Sequence, residues 1–347
     1  MRAAYATKMG GDAPLNNLEI GERPEPTAGP GEARIRVRAA TLNHHDYWTL
    51  RGVVGSPITL PRILGCDAAG VVDSYGPDAP AGVPPPGSDV IVYQMKFCGE
   101  CGACADGDPM LCRRFEMLSD VGMEGSFAEY VVVPAVHVLP KPARLSYEEA
   151  ACLGTTFLTA YRMLFVKAQL RPGQTVLVQG AAGGLSTAAI TLAAAAGVFT
   201  IASSRSSDRL EVAKRLGAHA TVPGGRDAAK AILGLTSGEG VDAVMESVGE
   251  PTWATSMRAV RAGGAIVVAG ATGGPNPPAD LARIFWRQIR IIGSTMGSLS
   301  EFIALLRFVE CAAIKPLIDR IYPLEHARSA IERLAADEQV GKLVLSI

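Results

Sequence analysis

Neither sign of charge predominates in this chain: Lys and Arg number 33, Asp and Glu 34. That balance excludes the global field that draws a protein to nucleic acid or to an anionic membrane. The opening residues, Met-Arg-Ala-Ala-Tyr-Ala-Thr-Lys, lack the apolar stretch of an export signal, and lipidation motifs are missing. Internal repeats and low-complexity segments are missing as well. These absences predict a soluble, cytoplasmic protein with no nucleic-acid or membrane partner. One run, Ala181 to Ser204, carries no charge over 24 residues, the length of a membrane span. Its Gly183-Gly184 start, internal Gly197 and Ser/Thr content predict a buried helix followed by a buried strand instead. The 347 residues suffice for two domains with separate cores.

Four cysteines fall close together as Cys98-Gly-Glu-Cys101-Gly-Ala-Cys104 and then Cys112. Four thiolates at this spacing close a tetrahedral shell with no open position, which describes a structural zinc rather than a catalytic one. Disulfides do not suit a large chain without an export signal, because cytosolic thiols stay reduced. Ferredoxin-type iron–sulfur runs close with a shorter last gap and a proline, whereas Arg113 follows Cys112 here. One structural zinc per chain is predicted, in a lobe of about residues 95–115.

The first 150 residues read as β-rich. Ala33-Arg-Ile-Arg-Val-Arg-Ala alternates with the period of a half-buried strand, and Gly70-Val-Val, Asp89-Val-Ile-Val-Tyr and Ala128-Glu-Tyr-Val-Val-Val are further strands. From about Leu158 strands alternate with helices. Near-continuous apolar strands at 175–179, 200–203, 243–246 and 265–269 imply a doubly wound parallel sheet, an α/β fold. A helix near 325–336 and the strand 342–347 are expected to return to the first domain. The boundaries read as 1–157, 158–293 and 294–347.

The strand at 175–179 runs into Gly180-Ala-Ala-Gly-Gly-Leu-Ser186 and then a helix. A glycine turn in that place lets the backbone approach a pyrophosphate on the helix N-terminus, which makes Ala182, Gly183, Gly184 and Leu185 cofactor contacts. Ala181 and Ser186 replace the outer glycines of G-x-G-x-x-G, both with small side chains. The acid that binds a ribose 2′-hydroxyl about twenty residues on is absent. Ser203-Ser-Arg-Ser-Ser207 stands there instead. Ser204, Arg205 and Arg209 suit a 2′-phosphate, which selects NADP(H); a solvated surface charge is the other reading of Arg205. Val248, Ala269-Gly270 and Ser294-Thr295-Met296 end successive strands at the carboxyl edge, where ligands bind in such sheets.

Together with Asn43-x-x-Asp46, Arg51-Gly52, Ile63-Leu-Gly-Cys-Asp-Ala-Ala-Gly70-Val-Val and Gly341-Lys-Leu-Val-Leu, these features resemble the medium-chain dehydrogenase/reductase superfamily over essentially the whole chain. The resemblance implies a GroES-like β-rich catalytic domain, a Rossmann nucleotide-binding domain and a homodimer to which Ala279 to Arg290 contribute. It adds Asn43, His44, Thr159 and Lys342 to the cofactor contacts, with a strand-edge lysine as the other reading of Lys342. In zinc alcohol dehydrogenases of this superfamily a second, catalytic zinc has three ligands, whose positions fall on Asn43, Cys66 and Thr155. Only Cys66 is a good ligand, and three are needed. A set of Cys66, Asp67 and either His44 or His45 remains chemically open.

Without that Lewis acid an activated acceptor is required. The resemblance to zinc-free quinone oxidoreductases and enoyl reductases then implies NADPH-dependent reduction of an α,β-unsaturated carbonyl or quinone. His45 occupies the place of the family's proton-relay hydroxyl and Tyr47 is a second donor candidate; a hydrogen-bonded structural histidine is the other reading of His45. Zinc-dependent alcohol or aldehyde oxidation and cofactor binding without turnover are the competing functions. Trp48, Phe115, Met117, Phe285 and Trp286, in stretches 47–58, 117–123 and 281–286, suggest an apolar substrate, though they suit packing equally.

Overall fold

The computed structural model describes residues 1–53 and 58–347, so part of the 47–58 stretch lies outside the described residues. The chain forms two compact units, Met1–Thr155 with Ser298–Ile347, and Thr156–Gly297.

In the first unit, alternation along Glu32–Thr41 buries Ala33, Ile35, Val37 and Ala39 and turns Arg36 and Arg38 to solvent. This strand is the spine of a seven-stranded sheet. Val138–Pro140, Asp89–Val92, Asp67–Tyr75, Glu32–Thr41, Lys342–Ser346 and Ile318–Pro323 stand side by side in that order, and Tyr130–Pro134 also pairs with the spine. The C-terminal strand runs antiparallel to it with Val344 opposite Thr41. That register brings Lys342 to the residues just past the spine, Leu42 and Asn43. The strand Ile318–Pro323 and the helix Leu299–Cys311 were not predicted.

The second unit is a six-stranded parallel sheet: Ala220–Pro223, Phe199–Ser204, Thr175–Gln179, Val241–Glu246, Val260–Val268 and Arg290–Gly293. In chain order this is 3-2-1-4-5-6, the dinucleotide-binding topology. Its first and fourth strands are neighbours, so the crevice at their carboxyl ends lies beside Gln179 and Glu246. The alternation did not reveal Ala220–Pro223 and Arg290–Gly293. Both are short edge strands whose partial exposure removes the continuous apolar run of a central parallel strand. The uncharged run 181–204 becomes the helix Gly184–Ala195 and the strand Phe199–Ser204. Among the described residues no helix is long and apolar enough to cross a membrane.

One core residue couples the fold of the first unit to pH. His137 is buried edge-on against the Tyr93 ring at 5.1 Å, and its Nδ1 has no hydrogen-bond partner. Burial, aided by the charge of Lys96, holds its pKa down at about 4. A folded-state value below the unfolded one means that this stability is complete above pH ~6.5 and is lost as pH falls towards 4. Between pH 7 and pH 4 the wild type should therefore lose about 3 kcal/mol more than His137→Gln in urea denaturation. Parallel pH dependence of the two proteins would refute this.

Candidate active site and metal centre

The four-cysteine lobe is clipped at its base by a short ladder, Met95 opposite Met117 and Lys96 opposite Glu116, with a Lys96–Glu116 ion pair at 3.1 Å. Cys98 and Cys112 sulfurs lie 3.5 Å apart, Cys101 and Cys104 3.6 Å, and Cys98 and Cys104 3.9 Å. A tetrahedron with Zn–S legs of about 2.3 Å has edges of about 3.8 Å, so the lobe fits zinc as it stands. Backbone N–H groups of Glu100 and Cys101 hold the Cys98 thiol down at about 6. The Arg114 N–H donates to Cys112 Sγ at 3.4 Å. Both effects favour the thiolates of Cys98 and Cys112 that a metal requires, while burial and the neighbouring thiols push Cys104 up to about 12.

The second cluster grows from the helix His44–Arg51. Asp46 accepts the Asn43 N–H at 2.7 Å with one oxygen and the Gly65 N–H at 3.0 Å with the other. The Asn-x-x-Asp pattern is thus half of a capping box, and it ties the helix start to the turn before Cys66. Burial raises the Asp46 carboxyl to about 6, although the charge of His45 and the two N–H bonds act against it. His45 lies between two partners, Cys66 Sγ at 3.6 Å from Nδ1 and Asp120 Oδ2 at 3.1 Å from Nε2. Burial, and then the charges of Asp46, Asp67 and Asp120, push the Cys66 thiol well up and keep it protonated. Tyr47 packs partly buried on the main core with the Arg51 guanidinium 5.8 Å over its ring. His44 stands against Trp48, and burial holds its imidazole below the ordinary range. It offers a neutral N–H rather than a cation.

Two of the three positions of the family's catalytic zinc, Asn43 and Thr155, are tied into a polar knot. Buried Asp67 accepts from Thr41 Oγ1 at 2.7 Å and Asn43 Nδ2 at 2.8 Å on one oxygen, and from Thr155 Oγ1 at 2.7 Å on the other. Lys342 Nζ donates to Leu42 O at 2.6 Å and Asn43 Oδ1 at 2.7 Å, and lies 4.0 Å from the Asp67 carboxylate. Gly154 permits this approach, since a Cβ there would stand 2.4 Å from Asp67 Oδ1. Asn43 and Lys342, read from the sequence as cofactor contacts, are both buried, and their polar atoms are paired inside the first unit. The open ligand set gathers differently from the sequence reading. The atoms that converge within 4.8 Å belong to His45, Asp46 and Cys66, without Asp67 or His44. In that set both Asp46 oxygens already hold backbone N–H groups, which a metal there would have to displace.

In the second unit the strand Thr175–Gln179 ends at Gly180, whose φ of +71° favours glycine and whose Cβ position would stand 3.1 Å from a Val248 methyl. Ser186 donates to Gly180 O at 2.6 Å and Gly183 O at 3.0 Å. The serine that departs from the glycine pattern therefore closes the turn. The N-cap Gly183 offers no side-chain cap, which leaves the first N–H groups of the helix, at Gly184, Leu185 and Ser186, for an anion. A dinucleotide pyrophosphate fits this cradle. Thr159 Oγ1 lies 4.0 Å from Met296 Sδ, so two of the predicted contacts meet. Ala269 and Ser294 continue the ladder from Glu246 and Val268, which places Ala269-Gly270 and Thr295 at the carboxyl edge. Ser204, at the end of its strand, accepts the Ser206 N–H on its hydroxyl at 3.2 Å. Arg205 is exposed just beyond it, and Arg209 lies in the first turn of the following helix, Ser207–Arg215.

Phe285 and Trp286 are 69% and 81% exposed on the helix Leu281–Arg287. Met117 is buried and Trp48 and Phe115 are half-buried in the first unit. Two residues escaped the sequence reading. Asp120 stands 75 positions from His45 and gives no local signal. Buried Glu246 accepts from Val248 N, Gly249 N, Thr252 Oγ1 and Ser256 Oγ, and so shapes the crevice loop. An acid closing the strand was its visible trace.

A family model described as alcohol dehydrogenase GroES-like domain matches residues 29–143, and one described as zinc-binding dehydrogenase matches 184–310. An NAD-dependent alcohol dehydrogenase of Saccharolobus solfataricus is 34% identical over 99% of both chains. A crotonyl-CoA reductase of Streptomyces collinus is 30% identical over 96% of this chain and 83% of its own length. A solved structure of an NAD-dependent alcohol dehydrogenase superposes with a TM-score of 0.94 at 40% identity, covering all of both chains. The chain is an oxidoreductase and belongs to the zinc-type alcohol dehydrogenase-like branch of the medium-chain dehydrogenase/reductase superfamily.

Proposed function

We propose that this oxidoreductase reduces an activated C=C bond, in an α,β-unsaturated carbonyl or a quinone, with NADPH and without a catalytic zinc. The observation that carries the reading is the Asp67 knot at two of the zinc positions, which leaves a proton donor but no Lewis acid. The crotonyl-CoA reductase relative, named for reduction of an enoyl thioester, supports the same substrate class. A nicotinamide cofactor, when bound, supplies the hydride. The helix N-terminus at Gly184–Ser186 holds the pyrophosphate, and Thr159 and Met296 border the nicotinamide end. His45 holds the proton that neutralises the oxyanion left when hydride reaches the β-carbon.

The test is NADPH oxidation with an alkenal, a quinone, and a saturated aldehyde or alcohol, each with and without chelator. Turnover of the alkenal or quinone that persists in chelator is expected. Alcohol-dependent reduction of NADP⁺ that disappears with chelator would instead place a zinc alcohol dehydrogenase here.

Cofactor choice is tested at Arg205. A charge-assisted hydrogen bond to a phosphate is worth about 1.5–3 kcal/mol, or about 10–100-fold in affinity. Arg205→Ala should raise the KM for NADPH by about that factor and leave the KM for NADH nearly unchanged. A wild-type enzyme that prefers NADH would refute the assignment.

A further inference from the structure

We infer that Asp120 is the positioning residue that fixes the tautomer of His45 and directs its transferable proton through Nδ1. The inference rests on the reductase reading, in which His45 is the acid. Asp120 lies in the turn between the strands Glu116–Leu118 and Gly122–Met123. That turn is held by an Asp120 N–H···O=C Met117 bond of 3.1 Å, and Ser119 adopts a φ of +68° within it. A non-glycine residue in the left-handed region marks a backbone that its surroundings determine. The result is a carboxylate only 7% exposed, with Oδ2 at 3.1 Å from His45 Nε2. Its other oxygen, Oδ1, is buried and has no hydrogen-bond partner. Among the described residues no second donor draws on the carboxylate, so its pull falls on the one imidazole.

An ionised carboxylate only accepts hydrogen bonds. Nε2 must therefore carry hydrogen whether the ring is neutral or charged. Nδ1 then holds the lone pair of the neutral ring and the labile proton of the imidazolium. That nitrogen faces Cys66 Sγ at 3.6 Å, and a thiol kept protonated by burial does not compete for the proton as a base. The step balances as follows. Hydride adds to the β-carbon and the carbonyl oxygen takes the π pair. The Nδ1–H bond breaks, an O–H bond forms, its electron pair stays on Nδ1, and solvent later restores the imidazolium. Asp120 remains a carboxylate throughout and compensates the imidazolium charge, the role an aspartate plays behind a catalytic histidine.

The experiment pairs kinetics with NMR on the full-length enzyme. Removal of an acid's orienting carboxylate should lower kcat by about 10²-fold or more, within the range general acid catalysis supplies. D120N should show that loss with the enone KM held within about two-fold, whereas a merely structural lesion moves both or lowers the melting temperature. Asp120→Glu, which keeps a carboxylate, should recover part of kcat. Long-range ¹H–¹⁵N spectra of the histidine rings, with the His45 signal identified by its loss in His45→Gln, should show Nε2–H in the wild type and a mixed tautomer in D120N. Wild-type kcat in D120N, or an Nδ1–H tautomer in the wild type at alkaline pH, would overturn the inference. Absence of enone-dependent NADPH oxidation in the wild type would overturn the reductase reading alone, because the NMR pattern still decides the role of Asp120.

Discussion

Protein purified without added metal should carry one zinc per chain, Cys112→Ser should carry none, and Cys66→Ser should still carry one. The first two outcomes follow from the lobe, where four sulfurs already stand at the edge lengths of a zinc tetrahedron. Structural zinc in small peptides binds with about 10–16 kcal/mol, and that binding energy is folding energy. Loss of one ligand should therefore unravel the segment between Lys96 and Glu116, read as rapid proteolytic cleavage within 97–115. Cys112 is the most informative position because it is the buried member of the four, with Cys98, Cys101 and Cys104 half-exposed. The third outcome separates this lobe from the second cluster. Two zinc ions in the wild type and one in Cys66→Ser would mean that His45, Asp46 and Cys66 gather a metal, and the zinc-free reading would fall. Metal content after exhaustive digestion settles all three proteins.

What could be read along the chain was what is local in it. The zinc lobe lies within fifteen residues, and its ligand spacing is enforced by the ion itself, so the pattern survives without knowledge of the fold. The parallel sheet was legible wherever strands are central, because burial on both faces leaves a continuous apolar run. It failed at Ala220–Pro223 and Arg290–Gly293, where one flank is open. The reactive cluster is the opposite case. Thr41 meets Asp67 through the pairing of two neighbouring strands, and Lys342 joins them only because the strand Lys342–Ser346 inserts beside Glu32–Thr41; no spacing rule spans 300 residues. Asn43 and Lys342 were seen as motif members, yet their partners decide what they do. Asp120 was invisible for the same reason, being joined to His45 only through the fold.

Asp67→Ala should cost about 3–5 kcal/mol in urea denaturation, the loss that follows when one partner of a buried charge pair is removed. Three hydrogen bonds end on its carboxylate, and the deletion removes the acceptor of two hydroxyls and an amide in a buried place. It also leaves the Lys342 ammonium, only 3% exposed, without its counter-charge. Replacing Lys342 by methionine in the same protein should therefore recover part of the loss, because an apolar pair in place of a buried ionic one is often near neutral. The double variant should be more stable than the sum of the single losses predicts by about 1–3 kcal/mol, the range of coupling between contacting residues. The size of that coupling bears on function as well as stability. A strong coupling means that Lys342 is held inward to balance Asp67, and that the knot substitutes a proton-rich network for a metal. Additivity to within about 0.5 kcal/mol would mean that the ammonium answers to something else, and a cofactor pyrophosphate would return as its partner.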